Sequence, residues 1–154
     1  MLQDNFESKI RDLLSSEIAL YTELEHYVDD ELECVNNKDM EKLLEVLQQK
    51  QGVISRQELL QEEWGQIAMK FGLVEGRDGP LFWSAVEQHV ESQGFYSLSK
   101  IVNEIKEQVT ALLTKEEHVQ ALLEQHISEL REQMAQLNKG KTAFKGYMKS
   151  GGVL

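Results

Sequence analysis

The sequence predicts an all-α protein: an antiparallel helical bundle of three long helices plus one short helix, with a flexible C-terminal tail. Three observations predict it. Apolar residues recur at steps of three and four through most of the 154 residues, the repeat of one helix face. The chain has a single proline, and its turn-forming residues gather at few places. Charged residues make up 28 %, with Glu, Gln and Leu abundant, a composition suited to long helices. One bundle domain is expected over residues 1–139, and a basic tail over 140–154.

The first helix is expected from Asp4, where Asp4-Asn5-Phe6-Glu7 fits a capping box. Its stripe runs Phe6, Ile10, Leu13, Leu14, Ile18, Tyr21, Leu24, Val28, Leu32 and Val35. Asn36-Asn37 ends it, because asparagine tolerates the left-handed conformation, and a short turn there sends the next helix back antiparallel. The second helix is expected from near Lys38, with Met40, Leu43, Leu44, Leu47, Ile54, Trp64, Ile67 and Phe71 on its stripe. Its middle, Gln48 to Gly52, reads as a solvated and weakened patch. Gly72 stops it at a left-handed cap, with Leu73 folding back.

Residues 74–80 hold the densest turn chemistry, and Asp78 is placed to cap a short helix opening at Pro80. Ser92-Gln93-Gly94 would end that helix. Phe82, Trp83, Phe95 and Tyr96 read as an aromatic plug at one end of the bundle. The last helix, about Ser97 to Lys139, is a rod of about 60 Å for roughly 40 residues. It cannot bury its own stripe. Thr114 opens a second capping box, but the stripe keeps phase from Leu112 to Val119, which favours a continuous helix.

The tail changes character. From Gln133 onward there are four lysines and no acid. Against a net charge of −11, that leaves −15 on the rest of the chain. Phe144, Tyr147, Met148, Val153 and Leu154 have no evident core to join; they read as unstructured residues or as a short segment that folds on a partner. The tail also has the charge to lie on the acidic body.

So acidic a chain argues against nucleic acid and against anionic lipid as partners. No run approaches the roughly 18 apolar residues of a membrane span, so no membrane insertion is expected. The opening residues lack a secretory pattern, and a cytoplasmic location is expected. Cys34 stands alone, so no internal disulfide forms. Glu23 and His26 have the Glu-x-x-His spacing of di-iron bundles, but the motif occurs once where such sites need it twice. No phosphate-binding loop, paired Cys/His set or nucleophile context appears. Neither an enzyme nor a bound cofactor or metal is expected. His126 reads as a boundary residue of the stripe.

What remains is surface. The stripe beyond Thr114, from Val119 to Leu137, is either an apolar groove for a helical partner or is consumed inside the bundle or in a homodimer. The second reading would make the chain a structural coiled-coil adaptor or a homo-oligomeric helical scaffold.

The order of elements resembles the FlgN family of flagellar export chaperones. The likeness is carried by the long first helix, the tight turn, and MEKLLEVLQQKQGVISRQELLQEEWGQIAMKFGL. Within that stretch Lys50, Ile54, Arg56, Gly72 and Leu73 match the family pattern. The resemblance implies a small acidic cytoplasmic chaperone without ATPase activity. It implies binding to the C-terminal amphipathic helices of the hook–filament junction proteins FlgK and FlgL, and delivery to the type III export gate, where FlhA is the docking partner. Carried onto this chain, the client site maps to Val119, Leu122, Leu123, Ile127, Leu130, Met134 and Leu137, and gate docking maps to Tyr147.

Overall fold

The structure is a computed structural model; it describes the backbone of residues 2–147 and the side chains of residues 6–140. Four helices and no strand occur among the described residues: α1 (Leu2–Asn36), α2 (Met40–Lys70), α3 (Pro80–His89) and α4 (Ser92–Tyr147). The chain divides into two compact units, Met1–Glu116 and Glu117–Leu154.

In the first unit, α1 and α2 form the expected antiparallel hairpin. The turn is built differently from the expectation. The left-handed residue is Lys38, at φ 57°, not an asparagine. The Asp39 N–H donates to the Cys34 carbonyl at 2.9 Å and the Lys38 N–H to Val35 at 3.2 Å, which closes the free carbonyls of α1. Asp39 also caps α2, its carboxylate accepting from the Lys42 N–H at 3.2 Å. One residue pair thus ends one helix and starts the next. At the other end of α2, Gly72 takes φ 72°, and the Leu73 N–H reaches the Ala68 carbonyl at 3.0 Å. This is the expected glycine stop, with Leu73 against the core.

Several helix starts move. α1 begins at Leu2, so Asp4 lies inside it, and Glu7 pairs with Arg11 at 3.0 Å instead of closing a capping box. α3 is capped by Gly79, without a side-chain bond; Asp78 does not cap it. α4 starts at Ser92 rather than Ser97, so Gly94 sits inside a helix instead of ending one. A Cβ at Gly94 would collide with the Glu7 carboxylate, the flexible end of a side chain. Thr114 does not break α4: its hydroxyl donates to the Thr110 carbonyl one turn back. α4 continues past Lys139 and Gly140 to Tyr147; residues 148–154 of the expected tail lie outside the described residues.

The core joins Ile10, Leu13 and Leu14 of α1 to Trp64 and Ile67 of α2, Phe82 and Val86 of α3, and Leu98, Val102 and Ile105 of α4. Its aromatic centre is Trp64, edge-on to Phe82 at 5.7 Å, with Phe71 stacking on Phe6 at 5.1 Å. Phe82 and Trp83 belong to this plug as expected, Phe95 packs at its border, and Tyr96 is exposed. The buried face of α2 keeps the expected Leu43, Trp64 and Ile67, but Val46 and Val53 are also inside, while Leu44 and Leu47 face solvent.

Polar contacts set the register. Glu23 with Arg56 and Glu31 with Lys50 run in opposite directions along α1 and α2. Arg11 with Ser97, Thr22 with Gln108, and Asp29 with Lys115 run in the same direction along α1 and α4. Within this unit α4 is therefore parallel to α1 and antiparallel to α2, because α3 and its loops return the chain.

Candidate functional site

One face of α4 changes environment along its length. Ile105 and Leu112 are on it and buried in the first unit. In the second unit the same face continues as Val119, Leu123, Ile127, Leu130, Met134 and Leu137, still at steps of three and four. Val119 is buried, and Leu122 and Leu123 are half-buried. Then the stripe opens: Ile127 is 47 % exposed, Leu130 and Met134 56 %, and Leu137 62 %. The residues predicted from sequence thus fall into a buried beginning and an exposed end. Nothing interrupts the helix between them.

Charge on this free stretch is mixed. Glu124, Glu129, Arg131 and Glu132 are exposed around it, and the Gln125 amide donates to Glu129 at 3.4 Å. His126 is half-buried beside the stripe in sequence, with a buried Nδ1 that has no hydrogen-bond partner. Tyr147 is the last residue of α4, and its side chain lies outside the described residues.

The first unit holds features that sequence reasoning missed. Glu17 is buried, accepting from the Trp64 indole N–H at 3.0 Å and from the Arg77 guanidinium. Arg77, read from sequence only as turn chemistry, lies over the Trp64 ring at 5.1 Å. The patch around Lys50 is not merely solvated: Lys50 reaches Glu31 at 2.9 Å and Glu116 at 2.7 Å, tying three helices. Lys115 pairs with Glu25 at 2.8 Å and Asp29 at 3.0 Å. Two shallow grooves also open here. One of 340 Å³ lies between α1 and α2 over Leu20, Leu59 and Leu60, and one of 560 Å³ lies at the end of α2 over Gly65, Met69 and Val74. Gly65, a glycine inside α2 that the sequence analysis did not single out, lines the second.

The chemistry of these groups is that of packing and pairing. Glu23, half of the Glu-x-x-His pair, is held by Arg56 at 2.6 Å, and this hydrogen bond keeps its carboxyl below the usual range. No group of three or more His, Cys, Asp or Glu able to hold a metal occurs among the described residues. Cys34 is buried, and burial pushes its thiol up, away from reactivity. No described helix is long and apolar enough to cross a membrane.

Neither a curated protein nor a solved structure matches the chain. The family profile described as FlgN protein matches residues 1–153, essentially the whole sequence. An all-helical chain ending in a long helix with an open apolar stripe, matched from end to end by that profile, belongs to the FlgN family of flagellar export chaperones.

Proposed function

We propose that this chain is a cytoplasmic chaperone that binds the C-terminal amphipathic helices of the hook-associated proteins FlgK and FlgL. It prevents their premature assembly and delivers them to the export gate, with FlhA as the docking partner. The observation that carries the reading is the open stripe of Ile127, Leu130, Met134 and Leu137 on an uninterrupted helix. An exposed row at this spacing presents to a partner what an amphipathic client helix lacks, a second apolar face. Leu122 and Leu123 extend the row toward the buried Val119. Met134 suits more than one client, because a thioether side chain repacks readily. An interface of about 800 Å² per partner is typical of a specific complex.

Client and chaperone exchange apolar surfaces, so no nucleotide is needed for masking. Tyr147, at the end of the same helix, is the residue we assign to gate docking.

The test is calorimetric titration of the chain with a peptide of the client's C-terminal helix. A one-to-one complex is expected, and replacing both Leu123 and Leu130 by Asp should weaken it by at least about a hundredfold, the loss of two anchors of ~1.5 kcal/mol each. Unchanged affinity in that double variant would remove the stripe from the account. A wild-type dimer that excludes the client would favour the scaffold reading.

A further inference from the structure

A second apolar surface lies on the first unit, apart from the proposed client stripe. Gly65, Ala68, Met69, Leu73 and Val74 line the 560 Å³ groove where α2 passes into its glycine-capped turn, with Glu62 at the rim. Met69 is 76 % exposed, and Val74 is fully exposed. Gly65 is the informative residue. A Cβ built there meets nothing within 4 Å, and its φ is not left-handed. Neither internal packing nor backbone conformation asks for glycine at this place in a helix. Its effect is outward: it lets a group from outside approach the α2 backbone closely.

The surroundings are acidic. Glu58, Glu62 and Glu75 are exposed on the flanking turns. The two nearby cations are engaged elsewhere: the Lys70 ammonium stands 5.9 Å over the Phe6 ring, and Arg77 is buried against Glu17. Residues 1–116 contain 23 Asp and Glu against 11 Lys and Arg. The complementary segment is in the same sequence. After Glu132 the chain has no acid, and Lys139, Lys141, Lys145 and Lys149 surround Phe144, Tyr147 and Met148, apolar residues at helical spacing.

We infer that this groove is the docking site for the basic, apolar C-terminal segment of a second copy of the chain. The donor we assign is a second copy; the same segment seated in its own chain's groove would leave the protein monomeric at every concentration, an outcome the test below reads. In the complex an aromatic anchor sits over Gly65, and lysines face Glu62 and its acidic neighbours. A groove of this volume accommodates one or two such side chains. While docked, the segment is withheld from any other partner. The inference does not rest on the client reading, because it uses a different surface.

Sedimentation equilibrium of the full-length chain over a concentration series tests it. Wild type should self-associate, and more weakly at high salt. Gly65→Leu, which fills the groove, and Phe144→Ser, which removes an anchor, should each weaken association at least tenfold. Circular dichroism should show both variants fully helical, since Gly65→Leu points into open space. Mixing the two variants should restore association, because one supplies an intact segment and the other an intact groove. A wild-type chain that stays monomeric, association that both variants leave unchanged, or a mixture that stays dissociated would each overturn the proposal. Client binding measured on Gly65→Leu separates this site from the stripe, and should be unaltered.

Discussion

Removing the Glu17 carboxylate should cost more stability than any exposed ion pair in this protein. Glu17 and Arg77 side chains are 3 % and 9 % exposed. Glu17→Ala leaves a guanidinium and an indole N–H buried without their acceptor, which costs about 3–5 kcal/mol. That is a large share of a typical total of ~5–15 kcal/mol. Arg77→Ala leaves the opposite charge uncompensated and also removes the group stacked on Trp64. The double variant leaves neither charge alone, so its loss should fall short of the sum by about 2–3 kcal/mol. Glu17→Gln keeps an acceptor for Trp64 but leaves the buried guanidinium without its counter-charge, and should lose about 2–4 kcal/mol, less than Glu17→Ala. Urea unfolding, followed by helical circular dichroism and tryptophan fluorescence, reads all four chains. Additive losses, with a coupling below about 0.5 kcal/mol, would refute the idea that the three side chains act as one unit.

Stability should fall at both ends of the pH range. Burial alone would lower the Lys50 ammonium, but its hydrogen bonds to Glu116 and Glu31 outweigh burial and hold it above an ordinary lysine; burial, with Glu17 adding, raises the Tyr21 phenol. Both folded values are raised, so both contributions are complete below about pH 10 and are lost as pH rises further. Glu23 is lowered, so its contribution is present above about pH 4.3 and fades as pH falls below it. Melting temperature against pH checks this, and Lys50→Met should flatten the alkaline limb. Lys38→Gly should stabilise the chain by about 0.5–1 kcal/mol, since it relieves a left-handed lysine at the hairpin turn. Gly52→Ala should add about 0.8–1 kcal/mol by thermal melting, because the site is helical and a Cβ there meets nothing within 4 Å.

Periodicity was enough to read the helices. A stripe at steps of three and four has one consistent structural meaning, and Gly72 acts where a left-handed glycine was anticipated. Helix starts were less legible, because capping depends on which of several neighbouring polar residues the tertiary contacts leave free. Glu7 illustrates this: a capping box competes with Arg11, and Arg11 wins. Part of the α2 stripe was not legible, because leucine and valine both suit it: Val46 and Val53 are buried where Leu44 and Leu47 are not. Long-range polar contacts left no local trace. Nothing near Arg77 in sequence announces Glu17 or Trp64. The candidate stripe was visible as a continuous row from Val119 to Leu137. Its division into a buried start and an open end was not, since a regular stripe looks the same in sequence whether it is covered or exposed.

The proposed function requires a client helix to seat on the open face of α4. Hydrogen exchange of the full-length chain, with and without a peptide of the client's C-terminal helix, tests it most directly. Amides between Leu122 and Leu137 should become strongly protected when the peptide binds, while the core amides around Trp64 and Leu98 keep their rates. Protection appearing elsewhere, with residues 122–137 unchanged in the bound chain, would contradict the account.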